Sequence, residues 1–326
     1  MTQKVTILTI LVAALAFLSF FTVLTDIKSR AKISESRKIS SGLALISASR
    51  ANEETNSQKS YVLPVSEPTY FPIRNPDVPE PALNAKAFLL YDTKNDKVLF
   101  RKYSRKTLPV ASLTKLLTAV VALEYLSPED IVEVKKESMN IDGEGADFYL
   151  REKIYFKDLL KAMLVKSSND AASAVANTVE LRTGKVFADL MNQKSLQIGM
   201  TSSKFLDPSG LNDAAYSTAE DLIKLWKYSK SFEKISNNLN LSSSDFTSAD
   251  GRFSHHVLST NKLLGVLPNI AGAKTGYTDG ALGCIIIEER LASEDSSLVA
   301  VILGSESRFE DAKILLDWGK KAFRWR

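Results

Sequence analysis

Residues 111–119 read ASLTKLLTA and open a stretch of helical periodicity that runs to about Leu126. Ser112 and Lys115 stand three apart, so a helix starting here puts both on one face. Such a pair is either a nucleophile with its base or two neighbours by chance. Ser-x-x-Lys also occurs at Ser29/Lys32, Ser231/Lys234 and Ser259/Lys262, so spacing alone does not decide.

Order along the chain does. Ser-x-Asn occurs at Ser138/Asn140, Ser167/Asn169, Ser236/Asn238 and Ser259/Asn261. Lys-Thr-Gly occurs once, at Lys274 to Gly276, with Arg182-Thr183-Gly184 as a near miss. A site assembled from separate elements needs room between them. Ser29 lies in a polar tail, Ser231 is followed by its Ser-x-Asn within a turn, and Ser259 crowds Lys274. Ser112, Ser167 and Lys274 give three well-separated elements in the order Ser-x-x-Lys, Ser-x-Asn, Lys-Thr-Gly, which is that of serine enzymes using a lysine base.

Around this set the pattern is mixed. KAFLLY and KVLF read as two strands about the turn DTKNDK. FKDLLKAMLV, DAASAVANTVELR (closed by Gly184) and TAEDLIKLWKYSK read as helices. GCIIIEE and SLVAVILG read as buried strands joined by RLASEDSS, and FEDAKILLDWGKKAF is amphipathic. Strands at both ends with helices between them predict an α+β domain over 85–326 in which the terminal segments share one sheet.

Upstream, residues 5–25 carry no charge and are long enough to span a bilayer. Ala14-Leu15-Ala16 has the form of a signal cleavage site, but the apolar run continues past it, which favours an uncleaved transmembrane anchor over a signal peptide. Only Lys4 precedes the span, whereas Lys28, Arg30, Lys32, Arg37 and Lys38 follow it. That asymmetry argues for a cytoplasmic C-terminal side, although long domains often translocate regardless. Residues 26–84 read as a disordered tether: SRANEETNSQKS is polar, and six of the chain's ten prolines follow at positions 64, 68, 72, 76, 79 and 81.

The chain has 42 basic and 38 acidic residues and a net charge of +4, a balance that does not point to nucleic acid. The single cysteine, Cys284, excludes an intrachain disulfide and reads as a core residue. There is no HExxH and no CxxC, so neither zinc chemistry nor a cofactor is expected. The two histidines, His255 and His256, read as surface groups.

The residue types suggest acyl transfer. A serine hydroxyl is a poor nucleophile until a base takes its proton. No histidine lies near the three motifs in sequence, so Lys115 is the candidate base, provided burial or nearby positive charge lowers its pKa. Lys274 supplies such a charge and an attraction for an anionic substrate. Ser167 can relay a proton, and Asn169 can hold Lys115 and a substrate amide. The backbone N–H groups of Ser112 and Tyr277 are candidates for an oxyanion hole.

Residues 85–326 resemble the low-molecular-mass penicillin-binding proteins, serine D-alanyl-D-alanine carboxypeptidases. FLDPSGLND, YSTAEDL, STNKLLG, GAKTGYTDGALGC and ILLDWG extend the resemblance beyond the three motifs. It implies a β-lactamase/transpeptidase-like fold, with an antiparallel sheet flanked by helices, an all-helical lobe and a cleft between them. It implies peptidoglycan stem peptides as substrate and β-lactams as covalent inhibitors. Ser112, Lys115 and Ser167 become the expected catalytic residues, and Asn169, Lys274, Thr275, Gly276, Tyr277 and Arg308 the expected substrate-binding ones. Arg308 is the expected partner of a terminal carboxylate; the competing reading is a solvated arginine capped by Glu310 or Asp311. Val110-Ala111 and Tyr216 depart from the family pattern where proline-alanine and histidine are common. The implied location is the cell membrane, single-pass, with the catalytic domain outside the cytoplasm. Rival readings are a class A-like β-lactamase, which needs a water-activating glutamate for which Glu180 and Glu233 are candidates, an endopeptidase using the same residues, and a tethered wall-binding scaffold without activity.

Overall fold

The computed structural model describes residues 71–139, 142–291 and 296–325. The strands are β1 (Pro72–Arg74), β2 (Ala87–Asp92), β3 (Lys97–Lys102), β4 (Ile131–Glu133), β5 (Lys153–Tyr155), β6 (Ser243–Thr247), β7 (Ser254–Leu258), β8 (Ile270–Thr278), β9 (Leu282–Arg290), β10 (Ser297–Ser305) and β11 (Phe323–Trp325). The helices are α1 (Thr114–Tyr125), α2 (Lys136–Met139), α3 (Phe156–Leu164), α4 (Asn169–Thr183), α5 (Phe187–Gln197), α6 (Ala219–Lys230), α7 (Glu233–Ser236) and α8 (Arg308–Ala322).

Five strands form an antiparallel sheet in the order β3-β2-β10-β9-β8, so the first and last segments of the domain do share one sheet. The sheet is buried on both faces, and the period of two sorts its side chains. Phe88 and Leu90, Ile285 and Ile287, and Ala300 and Ile302 pack with Leu315, Leu316 and Trp318 of α8. Leu89 and Tyr91, Cys284 and Ile286, and Val299 and Val301 point the other way, into a core shared with α1, α3, α4 and α6. Lys274 pairs with Ile286 and Gly276 with Cys284, which turns the motif of β8 toward the helices. This is the α+β architecture expected.

Helix limits follow local chemistry. The Ser168 hydroxyl accepts from Ala171 N at the start of α4, and Gly184, at φ 67°, ends it. Thr218 caps α6 in the same way through Asp221 N. The lobe expected to be all helical also carries two short antiparallel pairs, β4–β5 and β6–β7, whose Val132, Ile154, Phe246 and Val257 join the helices' core.

Two expectations are corrected. Residues 72–84, expected to belong to the tether, are part of the folded domain. β1 pairs antiparallel with β11, Asn75 N donates to Ala322 O at 2.7 Å, and Trp318 Nε1 donates to Pro79 O at 2.7 Å. A proline lacks only the donor; its carbonyl still bonds, so a proline-rich segment can dock on a domain. The rest of the tether, 26–70, lies outside the described residues. So does the apolar stretch 5–25; among the described residues no helix is long and apolar enough to cross a membrane.

His255 is the second correction. It is buried, with Nε2 2.6 Å from Glu152 Oε1, between Phe148 and Phe246 at 5.1 and 5.2 Å. Successive residues on a strand face opposite ways, so on β7 only one of two adjacent histidines can be at the surface. His256 is that one, 2.7 Å from Asp245. Removing one member of a buried pair leaves the other without its partner. His255→Ala is expected to lower the unfolding free energy by about 3–5 kcal/mol, and His256→Ala by about 0.5 kcal/mol or less. Urea unfolding of the two variants checks this; equal effects would contradict the assignment.

Candidate active site

A cleft of about 490 Å³ is lined by residues from all three motifs, including Ser112, Ser167, Asn169, Thr275, Gly276, Tyr277 and Arg308. Ser112 sits in a 3₁₀ turn, Ala111–Leu113, which leads into α1. The residue before it, Ala111, has φ 48°, a left-handed conformation that a side chain disfavours. β8 presses on this turn: a Cβ added to Gly276 would lie 2.8 Å from Ser112 N and 3.1 Å from Val110 O. Glycine is therefore required for the Lys-Thr-Gly strand to reach the nucleophile.

Lys115 is fully buried one turn further on. Its Nζ lies 2.7 Å from Ser112 Oγ, 2.6 Å from Asn169 Oδ1 and 2.7 Å from Ser209 O. The amide of Asn169 is oriented by Nδ2, which donates to Asp142 O at 2.7 Å, so Oδ1 faces the lysine. Both Asn169 Oδ1 and Ser209 O are acceptors only. A neutral amine gives its two hydrogens to them, and its lone pair is left facing the hydroxyl of Ser112. Burial pushes the lysine down to about 7, opposed by the charges of Asp207, Asp170 and Glu144.

Ser167 comes at the end of the turn before α4, with φ 66°. Its Oγ accepts from Lys274 Nζ at 2.8 Å, and the same nitrogen donates to Thr275 O at 2.9 Å. Lys274 is fully buried, and burial, then the charges of Lys115 and Arg308, hold it well below the usual lysine range. Among the described residues no hydrogen bond joins Ser167 to Ser112 or Lys115. Thr275 Oγ1 meets Thr260 Oγ1 at 2.6 Å.

Arg308 opens α8 and lines the same cleft. Among the described residues its buried Nε has no hydrogen-bond partner, and its guanidinium lies 4.6 Å from the Phe309 ring and 5.8 Å from that of Tyr277. Of the two caps in the competing reading, Asp311 accepts from Asn84 N and Ser305 Oγ, and among the described residues neither it nor Glu310 forms an ion pair with Arg308. Glu180 and Glu233 are away from the cleft: Glu180 accepts from Phe187 N and Glu233 from Asn237 Nδ2. Sequence reasoning had missed Ser209, Thr260, Glu144 and Lys166, all within reach of the site. The first two lie in FLDPSGLND and STNKLLG, so a signal existed without a role.

A serine backed by a buried lysine, in a cleft between an antiparallel sheet and a helical lobe, defines a serine acyl-transfer enzyme of the penicillin-interacting fold. The sequence profile of the D-alanyl-D-alanine carboxypeptidase family matches residues 75–307, and the chain belongs to that family. It is 36% identical over 196 residues to a D-alanyl-D-alanine endopeptidase of Haemophilus influenzae, covering 59% of this chain and 66% of that one. It is 27% identical over 234 residues to the D-alanyl-D-alanine carboxypeptidase DacF of Bacillus subtilis, covering 70% of this chain and 59% of the relative. The matches thus span about three fifths to two thirds of these relatives. The structure superposes on a D-alanyl-D-alanine carboxypeptidase from Mycobacterium tuberculosis with a TM-score of 0.68 at 26% identity, over 76% of this chain and 95% of that one. A Streptomyces DD-transpeptidase gives 0.70 at 22% identity, over 75% and 100%, which shows the shared fold.

Only the neutral amine of Lys115 can accept the serine proton. With its midpoint at about 7, acylation of Ser112 by an active-site-directed acyl donor is expected to be level above that pH and to fall about tenfold per unit well below it. Stopped-flow acylation rates from pH 5 to 9 check this; a flat profile would exclude Lys115 as the base.

Proposed function

We propose that the protein is a serine-type D-alanyl-D-alanine carboxypeptidase that removes the terminal D-alanine from peptidoglycan stem peptides. The carrying observation is the contact of Lys115 Nζ with Ser112 Oγ, with the remaining contacts of that nitrogen made to carbonyl oxygens. Ser112 Oγ attacks the carbonyl of the penultimate D-alanine as its proton passes to Lys115 Nζ. The oxyanion is received by the backbone N–H groups of Ser112 and Tyr277. The C–N bond breaks, the proton is returned to the departing D-alanine nitrogen with Ser167 as relay, and the acyl group remains on Ser112. Water, activated by the same lysine, then releases it. The edge position of β8 suits an extended peptide laid along it. Lys274, Thr275 and Arg308 face the carboxylate that only a free C-terminus has. β-Lactams would acylate the same serine.

The name of the Haemophilus influenzae relative favours a second reading, cleavage of cross-links by the same residues. The two differ in the leaving group, free D-alanine in one and a cross-linked stem peptide in the other; the carboxylate of a free C-terminus is one that an arginine's planar fork can take with two parallel hydrogen bonds. Incubated with a stem pentapeptide, the protein is expected to release D-alanine, and Ser112→Ala to release none. Arg308→Ala is expected to slow turnover of the free acid at least tenfold, a loss of about 1.4 kcal/mol in transition-state binding, and to leave the C-terminal amide nearly unaffected. Equal losses on both substrates would make Arg308 structural, and faster turnover of a cross-linked dimer than of the pentapeptide would favour the endopeptidase.

The substrate requires the domain to lie outside the cytoplasm, and residues 5–25 are the proposed membrane anchor. The length and lack of charge of that stretch support this, while the basic residues after it argue the other way. Protease added to intact spheroplasts is expected to digest the domain; complete protection would contradict the placement.

A further inference from the structure

We propose that Asp207 is a positioning residue for the general base: its carboxylate folds the loop that gives Lys115 one of its two acceptors. Oδ1 accepts from Ser209 N at 2.7 Å, Ser209 Oγ at 2.6 Å, Gly210 N at 2.6 Å and Leu211 N at 3.3 Å, and Oδ2 accepts from Asn212 N at 2.9 Å. Among the described residues no basic side chain pairs with it, so its donors come from the loop itself. An aspartate that gathers the N–H groups after it substitutes for regular structure and fixes which way the carbonyls point.

The carbonyls freed by this arrangement point at α1. Pro208 O accepts from Thr118 Oγ1 at 2.6 Å, and Ser209 O accepts from Lys115 Nζ at 2.7 Å. Gly210 then passes so close to the nucleophile's turn that a Cβ there would lie 2.0 Å from Ala111 O. One carboxylate therefore orients the amine and backs the turn that carries Ser112. If Ser209 O turned away, one hydrogen of the neutral amine would seek another acceptor, and Ser112 Oγ is the nearest. The lone pair would no longer face the hydroxyl.

The charge matters as well as the shape. The anions that act on Lys115 are Asp207 first, then Asp170 and Glu144, and Lys274, itself held low by burial and by Lys115, is the other basic group of the site. Asp170 is engaged at the start of α4, accepting from Ala146 N and Ala171 N. Glu144 is an exposed residue of the cleft rim. An anion favours the ammonium form, so removing Asp207's charge lowers the pH at which Lys115 loses its proton.

This inference rests on Lys115 being the base, and the test reads the lysine directly, without turnover. In the full-length protein with ¹³C-labelled lysine, the Cε resonance of Lys115 is identified by its absence in Lys115→Arg and followed against pH. The wild-type midpoint is expected at about 7. In Asp207→Asn, which keeps an oxygen for the loop donors but loses the charge, the midpoint is expected to fall by about one unit. The acid limb of penicillin acylation should move with it. Should that variant fail to fold, Asp207→Ser carries the same expectation, since its hydroxyl can accept from the same N–H groups. A midpoint that stays or rises, with acylation slowed equally at every pH, would reduce Asp207 to a structural role and overturn the proposal. Absence of acylation in the wild type would instead count against the proposed activity and leave the titration to decide Asp207.

Discussion

Lys115 places an amine in a position where most proteins keep an apolar side chain, and much of the domain is arranged around it. Holding a lysine at about 7 rather than in its ordinary range near 10.5 reflects a net penalty on its charged form on the order of 5 kcal/mol, burial outweighing the nearby carboxylates. That is a large share of the 5–15 kcal/mol by which a domain is usually stable. The site tolerates it because the nitrogen is fully hydrogen-bonded. One oxygen comes from its own helical turn, one from the start of α4 and one from a loop 94 residues further along the chain. A buried polar group with all its partners is far less costly than one left unpaired.

Satisfying that nitrogen forces several segments into close approach. Ala111 and Ser167 adopt positive φ angles without being glycine, one just before the nucleophile and one at the residue that receives Lys274. Such conformations cost roughly 1–3 kcal/mol each and persist only where the surroundings hold them. Here they are held by β8, which reaches Ser112 through Gly276, and by the loop at Gly210, which touches Ala111. The strain thus lies next to the reacting oxygen, where it keeps the hydroxyl aimed at its base. Arg308, at the start of α8, lines the cleft, and Lys274 lies buried on β8 with its Nζ against Ser167 Oγ.

Periodicity and motif order were sufficient for the main outline. The strand and helix patterns placed the first and last segments in one sheet, and the three-residue spacing of Ser112 and Lys115 put them on one face. The order of the three motifs excluded the other Ser-x-x-Lys pairs. These are local properties: a period of two or 3.6 and an i to i+3 contact are set by backbone geometry within a few residues.

What the tertiary structure alone decided involves contacts between distant segments. The burial of His255 depends on a hairpin whose inward face meets Glu152, 103 residues away. The docking of the proline-rich stretch 72–84 depends on β11 and Trp318 at the other end of the chain. The acceptor at Ser209, the burial of Arg308 Nε and the place of Glu144 on the cleft have no local spacing that announces them. A residue's type and neighbours tell which chemistry it can do, and they settled Ser112 and Lys115 as a candidate pair. Whether an amine is dry, and which carbonyls surround it, depends on how the lobe closes over the sheet, and only the folded chain decides that.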